Sequence, residues 1–224
     1  KIYLYYNLYI RHKCFLNRKQ YSQWGEDLSI DNFFKSKKKG IYLDIGCFHP
    51  YMFSNTCLLN KKGWTGINID INQTAIDLFN ISRPKDINLC TAIDENKREF
   101  KVYYDDPFSP VNTLDKNFYK NLKESFFKDH KVFSIKSKTM EEIIKISKIE
   151  KEIDFINIDV EGLDYEILKQ INPKKLEVKL IAIETHNVDG SAAKNFASIS
   201  SFLQNYNFSI YKRFGPTTLY SSNS

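Results

Sequence analysis

Gly40-Ile41-Tyr42-Leu43-Asp44-Ile45-Gly46-Cys47-Phe48-His49-Pro50 is the stretch that decides the fold. Residues 41–45 form a short, mostly apolar run between glycines, the pattern of a strand buried on both faces. Asp44 interrupts that run near its end, where a carboxylate needs a partner such as a ligand ammonium or backbone amides. Gly46 follows and lets the backbone approach a ligand closely or take a positive φ. An apolar strand with polar chemistry at its carboxyl end belongs to a parallel α/β sheet, which binds ligands beyond its strand ends.

The same unit recurs downstream. Residues 54–62 suit a helix ended by Gly63, 66–70 a second strand, 72–82 a helix ended by Pro84, and 87–93 a third strand. Residues 99–138 are less regular, with strands near 100–104 and 132–135, a Pro-containing loop and a polar helix. Helix 140–147, strand 153–158, helix 163–171, strand 179–184 and helix 194–206 follow, and a hairpin with arms at 208–213 and 217–221 closes the chain. Upstream, 24–36 reads as a helix burying Leu28, Phe33 and Phe34. With no repeat and no Gly/Ser/Pro-rich linker, the expectation is one α/β domain over 21–224, with an insertion at about 99–138 and a basic, Tyr-rich extension over 1–20.

The chain of 224 residues has a net charge of +6, which at first points to nucleic acid or an anionic membrane. Its location changes that reading. Residues 1–20 hold five bases and no acid, hence +5, which leaves 28 bases against 27 acids elsewhere. The body is nearly neutral, and only five of the 33 bases are Arg, the preferred partner of phosphates and base edges. Nucleic acid is not an expected partner. A peripheral membrane contact through 1–19 stays open beside simple packing on the domain. Cys14, Cys47, Cys57 and Cys90 form no CxxC pair, so buried thiols in a reducing, cytoplasmic setting are expected. No apolar run approaches the about 20 residues of a spanning helix.

Acids stand at four strand ends: Asp44, Asp70, Asp159-Val160-Glu161-Gly162 and Glu184-Thr185-His186. Single acids there are often helix caps. Four along one sheet edge suggest a nucleoside-bearing cofactor and a reaction site. Asp70 is placed to accept bonds from both ribose hydroxyls. A dinucleotide would need G-x-G-x-x-G to seat its pyrophosphate, and here Phe48 and Pro50 follow a single glycine. S-adenosylmethionine carries a nucleoside and an amino acid without phosphate, and fits better.

Five motifs then occur in order: Tyr21-Ser22-Gln23-Trp24-Gly25-Glu26-Asp27, Tyr42-Leu43-Asp44-Ile45-Gly46-Cys47, Ser54-Asn55-Thr56, Gly63-Trp64-Thr65-Gly66 and Ile153-Asp154-Phe155-Ile156-Asn157-Ile158-Asp159-Val160-Glu161-Gly162. Together they resemble FkbM-type S-adenosylmethionine-dependent methyltransferases. The resemblance implies a Rossmann-like class I fold, with a mostly parallel seven-stranded sheet, its last strand antiparallel, and helices on both faces. It also implies methylation of a hydroxyl on a sugar, glycan or other small molecule, as in polysaccharide biosynthesis. By position, Asp44 and Gly46 would line the methionine end, Ser54 and Asn55 its amino-acid group, Asp70 the ribose, and Ala92 and Ile93 the adenine, with Gln23 closing over them. Phe48-His49-Pro50 replaces the second glycine common in such loops. His49 then either restores cofactor contacts, faces substrate or, as a loop histidine, bonds a nearby carbonyl.

Methyl transfer to a hydroxyl calls for positioning of the acceptor and for a base or metal to take its proton. Asp159 or His186 is the expected base, with Glu161 orienting its partner. The same three residues, Asp159, Glu161 and His186, could instead ligate a divalent ion. Glu161 also reads as an ordinary first-turn acid of a helix. Tyr103, Tyr104, Phe108, Phe118 and Tyr119 are candidates to stack on an acceptor sugar, or to pack in a core. Two further readings are a degenerate glycan-binding or scaffolding module and, through Asp106-Pro107-Phe108, a nucleic-acid N-methyltransferase; the latter motif precedes the fourth strand, the wrong place for that class.

Overall fold

The computed structural model describes residues 2–104, 131–149, 152–160 and 162–223. The expected polar helix, Asp106-Pro107-Phe108, Phe118, Tyr119 and Glu161 lie outside them, as does the side chain of Tyr104.

Among the described residues ten strands form two sheets: β1 (Ile41–Ile45), β2 (Thr65–Asp70), β3 (Ile87–Cys90), β4 (Ala92–Ile93), β5 (Glu99–Tyr104), β6 (Lys131–Lys138), β7 (Phe155–Ile158), β8 (Leu180–Glu184), β9 (Phe208–Phe214) and β10 (Thr217–Ser222). The main sheet has seven strands in the order β3-β2-β1-β7-β8-β10-β9. The pairs β3/β2, β2/β1, β1/β7 and β7/β8 are parallel. β10 runs antiparallel to both neighbours, β8 and β9.

The pleat sorts the core into two layers, because successive side chains point to opposite faces. Leu43, Ile45, Ile156, Ile158, Ile181 and Ile183 lie on one face with Met140, Ile143, Ile167, Leu168, Ile199 and Leu203. Those partners come from or adjoin the helices Met140–Ser147, Asp164–Leu168 and Phe196–Asn205. Tyr42, Phe155, Leu180, Ala182 and Leu219 lie on the other face with Ile30, Phe34, Leu59 and Trp64. Ile30 and Leu59 belong to the helices Glu26–Phe33 and Cys57–Lys61. The helix Gln73–Ser82 begins as expected at Asn72, whose side chain caps the Thr74 amide.

Three expectations need correction. The run 87–93 is not one strand. At Thr91 it changes partners: the Thr91 amide bonds the Asp70 carbonyl and its hydroxyl the Lys136 carbonyl, both at 3.0 Å. β3 therefore extends the main sheet, while β4 joins β6 and β5 in a second, three-stranded one. In the helix Glu26–Phe33, Leu28 is exposed, and Ile30 does the packing expected of it. All four cysteines are free thiols as expected, but Cys14 is exposed.

The leading segment forms helical turns at Ile2–Tyr6, Asn7–Arg11 and Lys13–Phe15. Among the described residues no helix is long and apolar enough to cross a membrane.

Candidate active site

A cavity opens where β1, β2 and β7 end. Asp44, Gly46 and Phe48 line it from β1 and its loop, Asp70 and Ile71 from β2, Ala92 and Ile93 from β4, and Asn157, Asp159 and Val160 from β7. Phe53, Ser54, Asn55 and Gln23 complete the wall. Of the twelve residues expected to bind cofactor or act in catalysis, nine stand in this wall, His49 and His186 do not, and Glu161 lies outside the described residues.

Gly46 brings the ends of β1 and β7 together. It has a φ of +80°, and a Cβ on it would lie 1.7 Å from the Asp159 carbonyl oxygen. Its amide bonds the Ile69 carbonyl at 2.9 Å, and the Asp159 amide bonds the Ile45 carbonyl at 3.0 Å. One residue without a side chain thus lets three strand ends converge.

Asp44 is buried and accepts bonds from Thr56 Oγ1 at 2.6 Å and Asn157 Nδ2 at 2.9 Å. Burial raises its pKa, against the two hydrogen bonds and the nearby Arg83 cation. Asp70 accepts the Phe48 amide at 3.0 Å and the Asn72 amide at 2.7 Å. Burial still pushes it up to about 6, with these amides opposing. Asn55 donates to Asn157 Oδ1 at 2.9 Å, while its own buried Oδ1 has no partner among the described residues. Asp164 accepts the Val160 and Gly162 amides and so fixes the turn that carries Asp159.

Behind the wall lies Arg83, a buried cation that the sequence reading passed over. Its guanidinium donates to Thr56 Oγ1 at 2.8 Å, Ser54 Oγ at 3.1 Å, Tyr42 Oη at 3.3 Å and the Pro50 carbonyl at 2.5 Å. Tyr42 in turn donates to the buried Asp86, which also accepts the Gly66 amide and Asn68 Nδ2. The Ser54-Asn55-Thr56 wall is therefore held from behind by an arginine and two buried carboxylates, Asp44 and Asp86.

His49 serves its own loop. Its Nδ1 accepts the Tyr51 and Met52 amides, so Nε2 carries the proton and faces Asn7 Oδ1 at 3.3 Å. Burial lowers its pKa to about 3, helped by His12 and Arg83. The ring is a neutral structural element of the loop, as in the third reading, but its partners are two backbone amides and the Asn7 side chain in place of the expected carbonyl. His186 pairs Nδ1 with Thr185 Oγ1 at 2.8 Å and lies beside the Phe196 ring. Burial and then Arg213 lower its pKa.

The model of the methyltransferase FkbM domain matches residues 44–210. The chain belongs to the FkbM methyltransferase family. No curated protein and no solved structure matches it.

The matched FkbM domain begins at the cavity, on Asp44, and takes in Arg83, Asp159 and His186; Gln23 and the leading segment precede it. Among its described residues no three His, Cys, Asp or Glu side chains come together to hold a metal. Asp159 and His186 of the expected ligand set are not brought into one wall.

Proposed function

We propose that this FkbM-family protein is an S-adenosylmethionine-dependent O-methyltransferase, built on a Rossmann-like class I sheet and acting on a hydroxyl of a sugar, glycan or other small molecule. The strand order, with a lone antiparallel strand next to the edge, supports the fold reading. One observation carries the cofactor. Three carboxylates, Asp44, Asp70 and Asp159, line the cavity, and among the described residues no Lys, Arg or His does. Such a wall repels phosphates and favours a ligand that carries positive charge.

The residues fit S-adenosylmethionine. Bound there, it supplies a methyl group made electrophilic by a positively charged sulfur. Asp70 would accept hydrogen bonds from the ribose hydroxyls, and Ile71, Ala92 and Ile93 would offer an apolar surface to the adenine. The unpartnered Asn55 Oδ1 is an acceptor suited to the ammonium. Asp159 stands in the wall, where a carboxylate oxygen would take the acceptor hydroxyl's proton as the hydroxyl oxygen displaces the sulfur from the methyl group. It is favoured over His186, which does not line the cavity.

Calorimetry with S-adenosylmethionine tests the reading. Saturable binding that is lost in Asp70→Ala supports it. No binding at millimolar cofactor would leave the protein as a binding or scaffolding module on a methyltransferase fold.

A further inference from the structure

The leading segment presents the wrong face to solvent. A helix docked on a domain normally buries its apolar side and exposes its polar one. Here the inward side is anchored by Asn7 and Leu8, both essentially inaccessible. Asn7 meets His49, and the His12 ring lies 5.3 Å from the His49 ring, edge to face. The outward side carries Ile2, Tyr3, Tyr5, Tyr6, Tyr9 and Ile10, with Ile2 88%, Ile10 60% and Tyr5 52% exposed. The segment is thus seated on the domain with a contiguous aromatic and aliphatic surface turned outward, and a surface of that kind marks an interaction site.

Charge selects the partner. Five bases and no acid fall within residues 1–20. Among the described residues Arg11, Lys13, Arg18 and Lys19 make no ion pair. A second copy of the chain would set like charges against each other. An anionic lipid surface would attract them, and Tyr side chains favour the boundary between headgroups and acyl chains. We propose that residues 2–19 form an interfacial anchor that seats the protein on anionic membrane, with Tyr5, Tyr9 and Ile10 entering the headgroup layer and Lys13 and Arg18 contacting lipid phosphates. The anchor is bonded to the loop whose Phe48 and Phe53 line the cavity, so membrane seating brings that loop to the lipid surface.

Flotation of the full chain with vesicles tests this. Partitioning onto phosphatidylglycerol-containing vesicles should exceed that onto pure phosphatidylcholine by about tenfold or more, and fall as salt rises to about 0.5 M. Lys13→Glu with Arg18→Glu, and separately Tyr5→Ser with Tyr9→Ser, should each reduce it by about tenfold. Both pairs are exposed, so circular dichroism and thermal melting should match the unaltered chain. Equal partitioning onto both vesicle types, or no loss in the charge-reversed variant, overturns the proposal. So does self-association at micromolar concentration that Tyr5→Ser with Tyr9→Ser abolishes, or a preference for duplex DNA over the anionic vesicles.

Discussion

The Cβ that Gly46 lacks would sit 1.7 Å from the carbonyl oxygen of Asp159. The obstacle is backbone, so no side-chain rotation relieves it, and the φ of +80° adds strain for any other residue. Gly46→Ala must part the ends of β1 and β7. It should destabilise the protein by about 2–4 kcal/mol and lower Tm by at least about 5 °C. Thermal melting checks this, and a wild-type Tm would mean that the two strand ends are not held so close.

Arg83 offers a second test. Removing it leaves Asp44 and Asp86 buried near a lost cation. Arg83→Ala should cost about 3–5 kcal/mol in urea unfolding. Arg83→Lys should recover only part of that loss, because one ammonium cannot span Pro50, Ser54, Thr56 and Tyr42 as the forked guanidinium does.

The raised pKa of Asp70 makes cofactor affinity depend on pH. Its carboxyl titrates at about 6 instead of the ordinary 3.8. A positively charged ligand prefers the ionised form. Affinity for S-adenosylmethionine should therefore be flat above about pH 7 and fall toward tenfold per unit below the folded pKa. Stability moves the opposite way for this group: its contribution is fully present below 3.8 and lost as pH rises through about 6. Calorimetry across that range, with Asp70→Asn as the pH-insensitive control, measures the first effect.

Asp159→Asn should lower turnover by about 10²–10⁴-fold while S-adenosylmethionine binding stays within a few-fold of normal. His186→Gln should leave turnover close to the unaltered level. Single-turnover assays with labelled cofactor separate the two, and the opposite ranking would move the base to His186.

The main sheet was legible because β1, β7 and β8 are short, mostly apolar runs and the turn at Gly215-Pro216 marks the hairpin of β9 and β10. The helix Met140–Ser147 matches its expected bounds, and a capping box of Thr139 and Glu142 fixes its start. The break at Thr91 left no such trace: residues 87–93 read as continuous, and the change of partner depends on Asp70 and Lys136, far away in the chain. The same holds for the site. Carboxylates at strand ends can be counted once strands are recognised. Arg83 before Pro84 looks like an ordinary solvated helix end, and only the fold brings Tyr42, Ser54, Thr56 and Asp86 around it. His49 was ambiguous because its partners are two backbone amides of its own loop and the distant Asn7, and backbone amides leave no mark on the sequence.

The Arg83 bonds also govern how the protein opens. Surface loops commonly exchange their amide protons through local fluctuations far below the global unfolding energy. The 50–56 loop cannot lift away without stripping a buried guanidinium of its acceptors. Its protected amides, such as Ser54 on the Tyr21 carbonyl, should therefore exchange with the slow set of β1 and β7. One wall of the cavity would then melt only when the sheet does.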